Sequence, residues 1–114
     1  MKQADVLVVG AGAAGLMAAI EAAREGAHVV LLEGQKTLGV KILISGGGRC
    51  NVTNARVNET DYNSGSIRTV RNILRSFPQP KTLAFFSSIG VELVQEEWGK
   101  LFPTTSKART VLDA

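Results

Sequence analysis

The chain has 114 residues, 45% hydrophobic and 20% charged, with a net charge of +3 and one cysteine, Cys50. That balance fits one folded domain with a modest core and excludes a disordered polyelectrolyte. A single cysteine excludes an internal disulfide and a zinc knuckle, and the apolar stretch Val6 to Val9, preceded by the lone basic Lys2, is too short for a membrane span or a secretory signal.

A cytoplasmic chain with no membrane partner is therefore expected, and Cys50 is expected to be a small buried or half-buried thiol. Asp5 to Val9 reads as a strand, Leu16 to Arg24 as a helix of strong helix formers with apolar residues at helical intervals, and His28 to Leu32 as a second strand ending on Glu33. Between the first strand and the helix, Gly10, Gly12 and Gly15 fit the GxGxxG spacing. In a chain with twelve glycines the spacing alone is a weak signal. Its place between an apolar strand and a helix, with an acid at the end of the next strand, makes it an adenine-dinucleotide signature.

The three glycines do different things. Gly10 permits the tight turn, Gly12 lets the backbone approach a pyrophosphate, and Gly15 lets helix and strand pack closely. The diphosphate then faces the helix entrance at Ala13 and Ala14, where unpaired N–H groups and the positive dipole end lie. Glu33, followed by Gly34, is placed to accept hydrogen bonds from the adenosine ribose. Its charge would repel a 2′-phosphate, which favours FAD or NAD over NADP.

From Gly34 to Asn58 the chain carries Lys36, Lys41, Arg49 and Arg56 and no acid. A nucleic-acid surface needs a broader stripe with interleaved aromatics, so this patch is read as a diphosphate partner and no nucleic-acid partner is expected. Leu43 and Ile44 lead into Ser45, Gly46, Gly47, Gly48, Arg49, Cys50, Asn51, Val52, Thr53 and Asn54. Successive glycines can turn their amides toward one point as an anion nest, and Arg49 adds a charge-assisted donor. Ser45, Asn51, Thr53 and Asn54 supply short hydrogen-bonding groups for a phosphate, a ribityl chain or a flavin edge.

Asn58 to Gly65 reads as a polar loop, and Ile67 to Phe77 as a packing helix with Ile67, Val70, Ile73, Leu74 and Phe77 at helical spacing. Pro80 opens another helix through Ile89, with Leu83, Phe85, Phe86 and Ile89 as core residues and Gly90 as its stop. Val91 to Glu96 and Lys100 to Phe102 form a hairpin around Trp98 and Gly99, ended by Pro103. Thr105 or Ser106 caps a last helix that begins at Lys107 and carries Val111 and Leu112.

The runs VLVVGAGAAGLMAA, LGVKILISGGGRCNVTN and GKLFPTTSKARTVLDA resemble the opening of a bacterial flavoprotein family of aminoacetone-oxidase-type and bile-acid-dehydroxylation-type FAD-binding enzymes, a branch of the two-dinucleotide-binding-domain flavoproteins. SGGGRCNVTN is the most specific of these runs. The resemblance implies that FAD is the cofactor, with Gly10, Gly12 and Gly15 under its pyrophosphate and Glu33 on the adenosine ribose. It also implies that Gly47, Gly48, Arg49, Cys50 and Asn51 lie along the diphosphate and the ribityl side. Val40 departs from the basic residue usual in that family, while Lys41 keeps a cation beside the site.

The expected fold is α/β: a Rossmann-like FAD/NAD(P)-binding domain whose βαβ unit starts a parallel sheet, decorated by a small β-hairpin. Because the last helix stops at Ala114 without a cap and the family's FAD fold is discontinuous, residues 1–114 are expected to be a truncated N-terminal part of that domain. No His, Asp or Glu receives a catalytic role: His28 opens a strand, Glu21 and Arg24 lie on an exposed helix face, and Glu92, Glu96 and Glu97 are solvated charges around the hairpin. The function expected is the FAD-binding part of an oxidoreductase acting on an unidentified small molecule, with NADH, NADPH or oxygen as second redox partner. A non-catalytic adenine-nucleotide-binding module and a flavoprotein that modifies transfer RNA are the alternatives.

Overall fold

The computed structural model describes residues 3–114, so Lys2 lies outside the described residues. Its first unit is the expected βαβ: β1 (Val6–Val9), α1 (Ala13–Arg24) and β2 (Val29–Leu32). The strands pair in parallel, Val6 opposite Val29 and Val9 opposite Leu32, as a helical crossover requires. The helix begins three residues before the expected Leu16, because Gly12 takes the extended N-cap position and its carbonyl accepts from the Leu16 amide at 2.9 Å. Alternation along β1 turns Val6 and Val8 toward α1, while Leu7, Val9 and, on β2, Leu32 stay exposed.

A short helix not expected from the sequence follows, α2 (Val40–Ile44). Gly39 launches it from a left-handed conformation at φ +59°, and its amide donates to the Ala11 carbonyl at 3.0 Å. A Cβ at Gly39 would lie 2.4 Å from Leu112 Cδ1, so glycine lets α2 pack against the last helix, α5 (Ala108–Asp113).

The second sheet is antiparallel, with β5 (Lys100–Pro103) between β3 (Thr53–Asn54) and β4 (Leu93–Gln95). The expected hairpin is its β4–β5 half. Pro103 ends the strand as expected, one residue past Phe102, paired opposite Leu93 and fully buried. The small core holds Leu101 and Phe102 of this strand with Val91, Ala108 and Cys50, and Ala11 is buried at the first glycine loop. Cys50 is thus the buried thiol expected of it.

Two helices cover the remaining sequence, α3 (Ile67–Ser76) and α4 (Gln79–Ser88). Ser66 caps α3 by accepting from the Thr69 amide at 3.3 Å, but the helix does not bury its apolar stripe: Val70 and Leu74 are half-buried, whereas Ile67, Ile73 and Phe77 are exposed. On α4, Leu83, Phe85, Phe86 and Ile89 are half-buried rather than core, with the two phenyl rings edge to face at 5.2 Å. Arg24 lies 5.2 Å over the Phe85 ring and joins α1 to α4. Within the expected loop, Glu59–Asp61 forms one 3-10 turn capped by Asn58.

The expected cap of the last helix is corrected. Lys107 occupies the N-cap without a side-chain bond, because the neighbouring hydroxyls are engaged elsewhere: Ser106 Oγ accepts from Arg49 at 3.2 Å and Thr105 Oγ1 pairs with Thr110 Oγ1 at 2.7 Å. Among the described residues no helix is long and apolar enough to cross a membrane.

Candidate functional site

The first glycine loop is fixed from behind and open in front. Gly10 sits at φ +99°, and its amide donates to the Leu32 carbonyl at 2.7 Å. A Cβ at Gly15 would lie 1.8 Å from the Gly10 carbonyl oxygen, so any side chain there would push α1 off the loop. Gly12, by contrast, has nothing within 4 Å of the place a Cβ would take. Its side of the loop leads to the N-terminus of α1, where no side chain caps the amides of Ala13, Ala14 and Gly15. Free amides, a positive dipole end and bare backbone together suit an anion.

Glu33 reaches this loop directly. Its Oε2 accepts from the Ala11 amide at 2.8 Å and its Oε1 from the Gln35 amide at 2.8 Å. These two bonds, the Ala11 one foremost, with a further one from Gly34, hold the carboxyl below its ordinary pKa against a smaller opposing effect of desolvation. The sequence placed Glu33 beside the loop by its position at the strand end. The bond to Ala11, twenty-two residues away, has no sequence signal.

The second glycine run differs in build. Gly46, Gly47 and Gly48 follow one another at φ +55°, +66° and +85°, a left-handed turn that only glycine adopts without strain. The turn closes on itself, with the Arg49 amide donating to the Gly46 carbonyl at 3.3 Å and the Cys50 amide to the Ser45 carbonyl at 3.0 Å. Ser45 Oγ donates to the Ile42 carbonyl at 2.8 Å, and Asn51 packs beneath Gly46, where a Cβ would lie 2.7 Å from the Asn51 amide nitrogen. Gly47 faces open space. Lys41 lies on α2, the five-residue link between the two glycine loops, whose entrance at Gly39 is bonded to Ala11.

Arg49 points to the second sheet. Its Nη1 donates to Glu96 Oε2 at 3.1 Å, its Nη2 to the other Glu96 oxygen and to Ser106 Oγ at 3.2 Å, and its guanidinium carbon lies 4.2 Å over the Phe102 ring. The pairing raises the Arg49 pKa and lowers that of Glu96. Glu96 is the exposed charge at the hairpin that was expected, but it is also paired with Arg49, which was not. Glu21, paired with Arg24 at 3.0 Å on an exposed face, does match its expectation. Around the Arg49 pair lies a shallow cleft of about 570 Å³ lined also by Glu97, Trp98, Lys100 and Phe102. Trp98 is 84% exposed and left-handed at φ +63°, with its carbonyl held by Asn54 Nδ2 at 2.9 Å. Among the described residues no cluster of metal-ligating side chains occurs.

Comparison with known proteins agrees with this Rossmann-like fold. Residues 4–114 match the family described as HI0933-like protein Rossmann domain, and the chain belongs to that family. It is 38% identical over 108 residues to a 3-dehydro-bile acid delta(4,6)-reductase of Clostridium scindens, a match covering 93% of this chain and 26% of the relative. It is 34% identical over 111 residues to a ribosomal RNA dihydrouridine synthase of Escherichia coli, covering 97% of this chain and 28% of that protein. A ribosomal RNA dihydrouridine synthase of Haemophilus influenzae is 35% identical over 96 residues, covering 84% and 24%. The chain thus spans about a quarter of the length of the curated relatives it matches.

Proposed function

We propose that this member of the HI0933-like family binds FAD, and that residues 1–114 form the N-terminal part of a discontinuous FAD-binding domain in a cytoplasmic, flavin-dependent oxidoreductase. The observation that carries the reading is the first glycine loop: Gly15 and Glu33 brace it from behind while Gly12 and the uncapped start of α1 stay open in front. A pyrophosphate is the anion this cradle fits. Gly10, Gly12, Ala13, Ala14 and Gly15 would hold it, with Glu33 and Gly34 on the adenosine side and Lys41 adding positive charge. The turn from Ser45 through Gly46, Gly47, Gly48, Arg49 and Cys50 to Asn51 would line the rest of the cofactor.

Although both Glu33 oxygens already accept amides, each keeps a second lone pair, so a ribose hydroxyl can still be taken. FAD, when bound, supplies hydride or electron transfer; the chain binds, orients and shields it. The name of the Clostridium scindens relative supports a reductase acting on a small molecule. NADH, NADPH and oxygen are the candidate second partners.

The test is made on the naturally expressed protein. Yellow protein whose flavin absorption bleaches under reductant supports the reading, whereas colourless protein that retains ADP supports a non-catalytic nucleotide-binding module. A second reading, a flavoprotein acting on RNA, is favoured by the names of the Escherichia coli and Haemophilus influenzae relatives. Against it, the positive patch is narrow and Glu96 neutralises one of its four cations. RNA binding that weakens steeply with salt would establish it.

A further inference from the structure

Arg49 leaves the triple-glycine turn, yet its guanidinium is committed to another element. Three contacts to Glu96 and Ser106 occupy its planar fork, and its face rests on Phe102. Phe102 is also the floor of the turn, since a Cβ at Gly46 would lie 3.0 Å from Phe102 Cε1. One ring of β5 therefore supports both the turn and the cation beside it. Arg49 and Glu96 are each little more than a third exposed and lie forty-seven residues apart, so the pair adds a side-chain tie between two segments that also meet along the short β3–β5 ladder and through Asn54 on the Trp98 carbonyl.

We infer that Arg49 is a positioning residue that fixes the Gly46–Gly48 turn against β5 through Glu96, and that its side chain does not contact the diphosphate. This rests on the reading that the turn lines the cofactor. A guanidinium forked onto a carboxylate has its donors directed and its charge compensated, so it offers a phosphate little until Glu96 is withdrawn. The two roles consequently predict opposite effects at Glu96.

The experiment measures FAD dissociation from the naturally expressed protein carrying Arg49→Ala, Glu96→Gln, the exchange Arg49→Glu with Glu96→Arg, or Gly47→Ala as a control on the turn. Melting temperatures are read alongside, and Glu96→Gln preserves shape should Arg49→Ala fail to fold. Arg49→Ala and Glu96→Gln are each expected to raise the FAD Kd by roughly fivefold, the effect of a well-placed, partly exposed pair. Their combination is expected to be no worse than either alone, and the exchange to recover part of the loss.

If Glu96→Gln leaves or tightens FAD binding while Arg49→Ala and the exchange weaken it, Arg49 contacts the phosphate and the inference is overturned. If Gly47→Ala weakens binding but no Arg49 or Glu96 variant does, the inference alone fails. If all variants, Gly47→Ala included, retain FAD unchanged, the turn lies outside the cofactor site and the parent reading of that turn fails with it.

Discussion

The two glycine loops of this chain reach defined shapes by different means. The first, Gly10 to Gly15, is shaped by backbone and close packing: the Gly10 amide on the Leu32 carbonyl, helix α1 seated on the Gly10 carbonyl, and the Ala11 amide on Glu33. The second, Gly46 to Gly48, is shaped by left-handed backbone and by side chains remote in sequence, Phe102 beneath it and Glu96 holding Arg49. Supports of the first kind all lie within the opening βαβ unit and its terminal acid, between Val6 and Glu33. Those of the second kind depend on tertiary structure, so the second loop should respond to changes far from it in sequence.

The contrast can be broken most forcefully at Gly15. Gly15→Ala places a Cβ 1.8 Å from a backbone oxygen, which no rotamer relieves. A loss of about 3 kcal/mol in urea unfolding is expected. Stability equal to wild type would show that α1 is not seated where described. Gly46→Ala should cost less, about 2 kcal/mol, combining the left-handed penalty at φ +55° with a 2.7 Å approach to the Asn51 amide. A cost matching that of Gly15→Ala would mean that the second loop is as rigidly seated as the first.

Acid sharpens the comparison further. The folded-state pKa of Glu33 is lowered from 4.5, mainly by the Ala11 amide, and that of Glu96 is lowered mainly by Arg49. A carboxyl depressed on folding contributes stability that is fully present above its unfolded value and is lost as pH falls through the folded one. Stability should therefore decline as pH drops below about 4.5. Glu33→Gln and Glu96→Gln should each flatten that decline, with Glu59, also depressed, retaining a share in both variants. An unchanged pH profile in Glu33→Gln would remove the carboxylate from the first loop.

The smallest effect on stability is expected at Gly12, whose φ of −80° suits alanine and whose Cβ would meet nothing within 4 Å. Gly12→Ala should leave the melting temperature equal or slightly raised, by about 0.4–1 kcal/mol of stabilisation, while weakening FAD retention. Full retention in this variant would mean that bare backbone at Gly12 is not what the ligand approaches.

Much of the first loop is legible in the sequence because its determinants are short-range. Strand, glycine spacing, helix and terminal acid all fall between Val6 and Glu33, and the structure sets them in the expected order. The second loop is legible only as a composition. VKILI has β-branched residues and too few turns to show a helical period, so α2 leaves no signal, and neither does the two-residue β3. Glu96 is unreadable as a partner because nothing in a glutamate beside a hairpin signals an arginine forty-seven residues earlier. Stripe residues such as Ile73 read as buried because periodicity reports which face is apolar, not what covers it.

Cys50 closes the left-handed turn at φ +60° with 6% of its surface exposed, and it is the only thiol in the sequence. A maleimide or disulfide reagent can reach it only when the turn springs away from the sheet, so the modification rate becomes a clock for that opening. Followed at Cys50 itself, that rate gauges at a single atom how tightly this loop is shut.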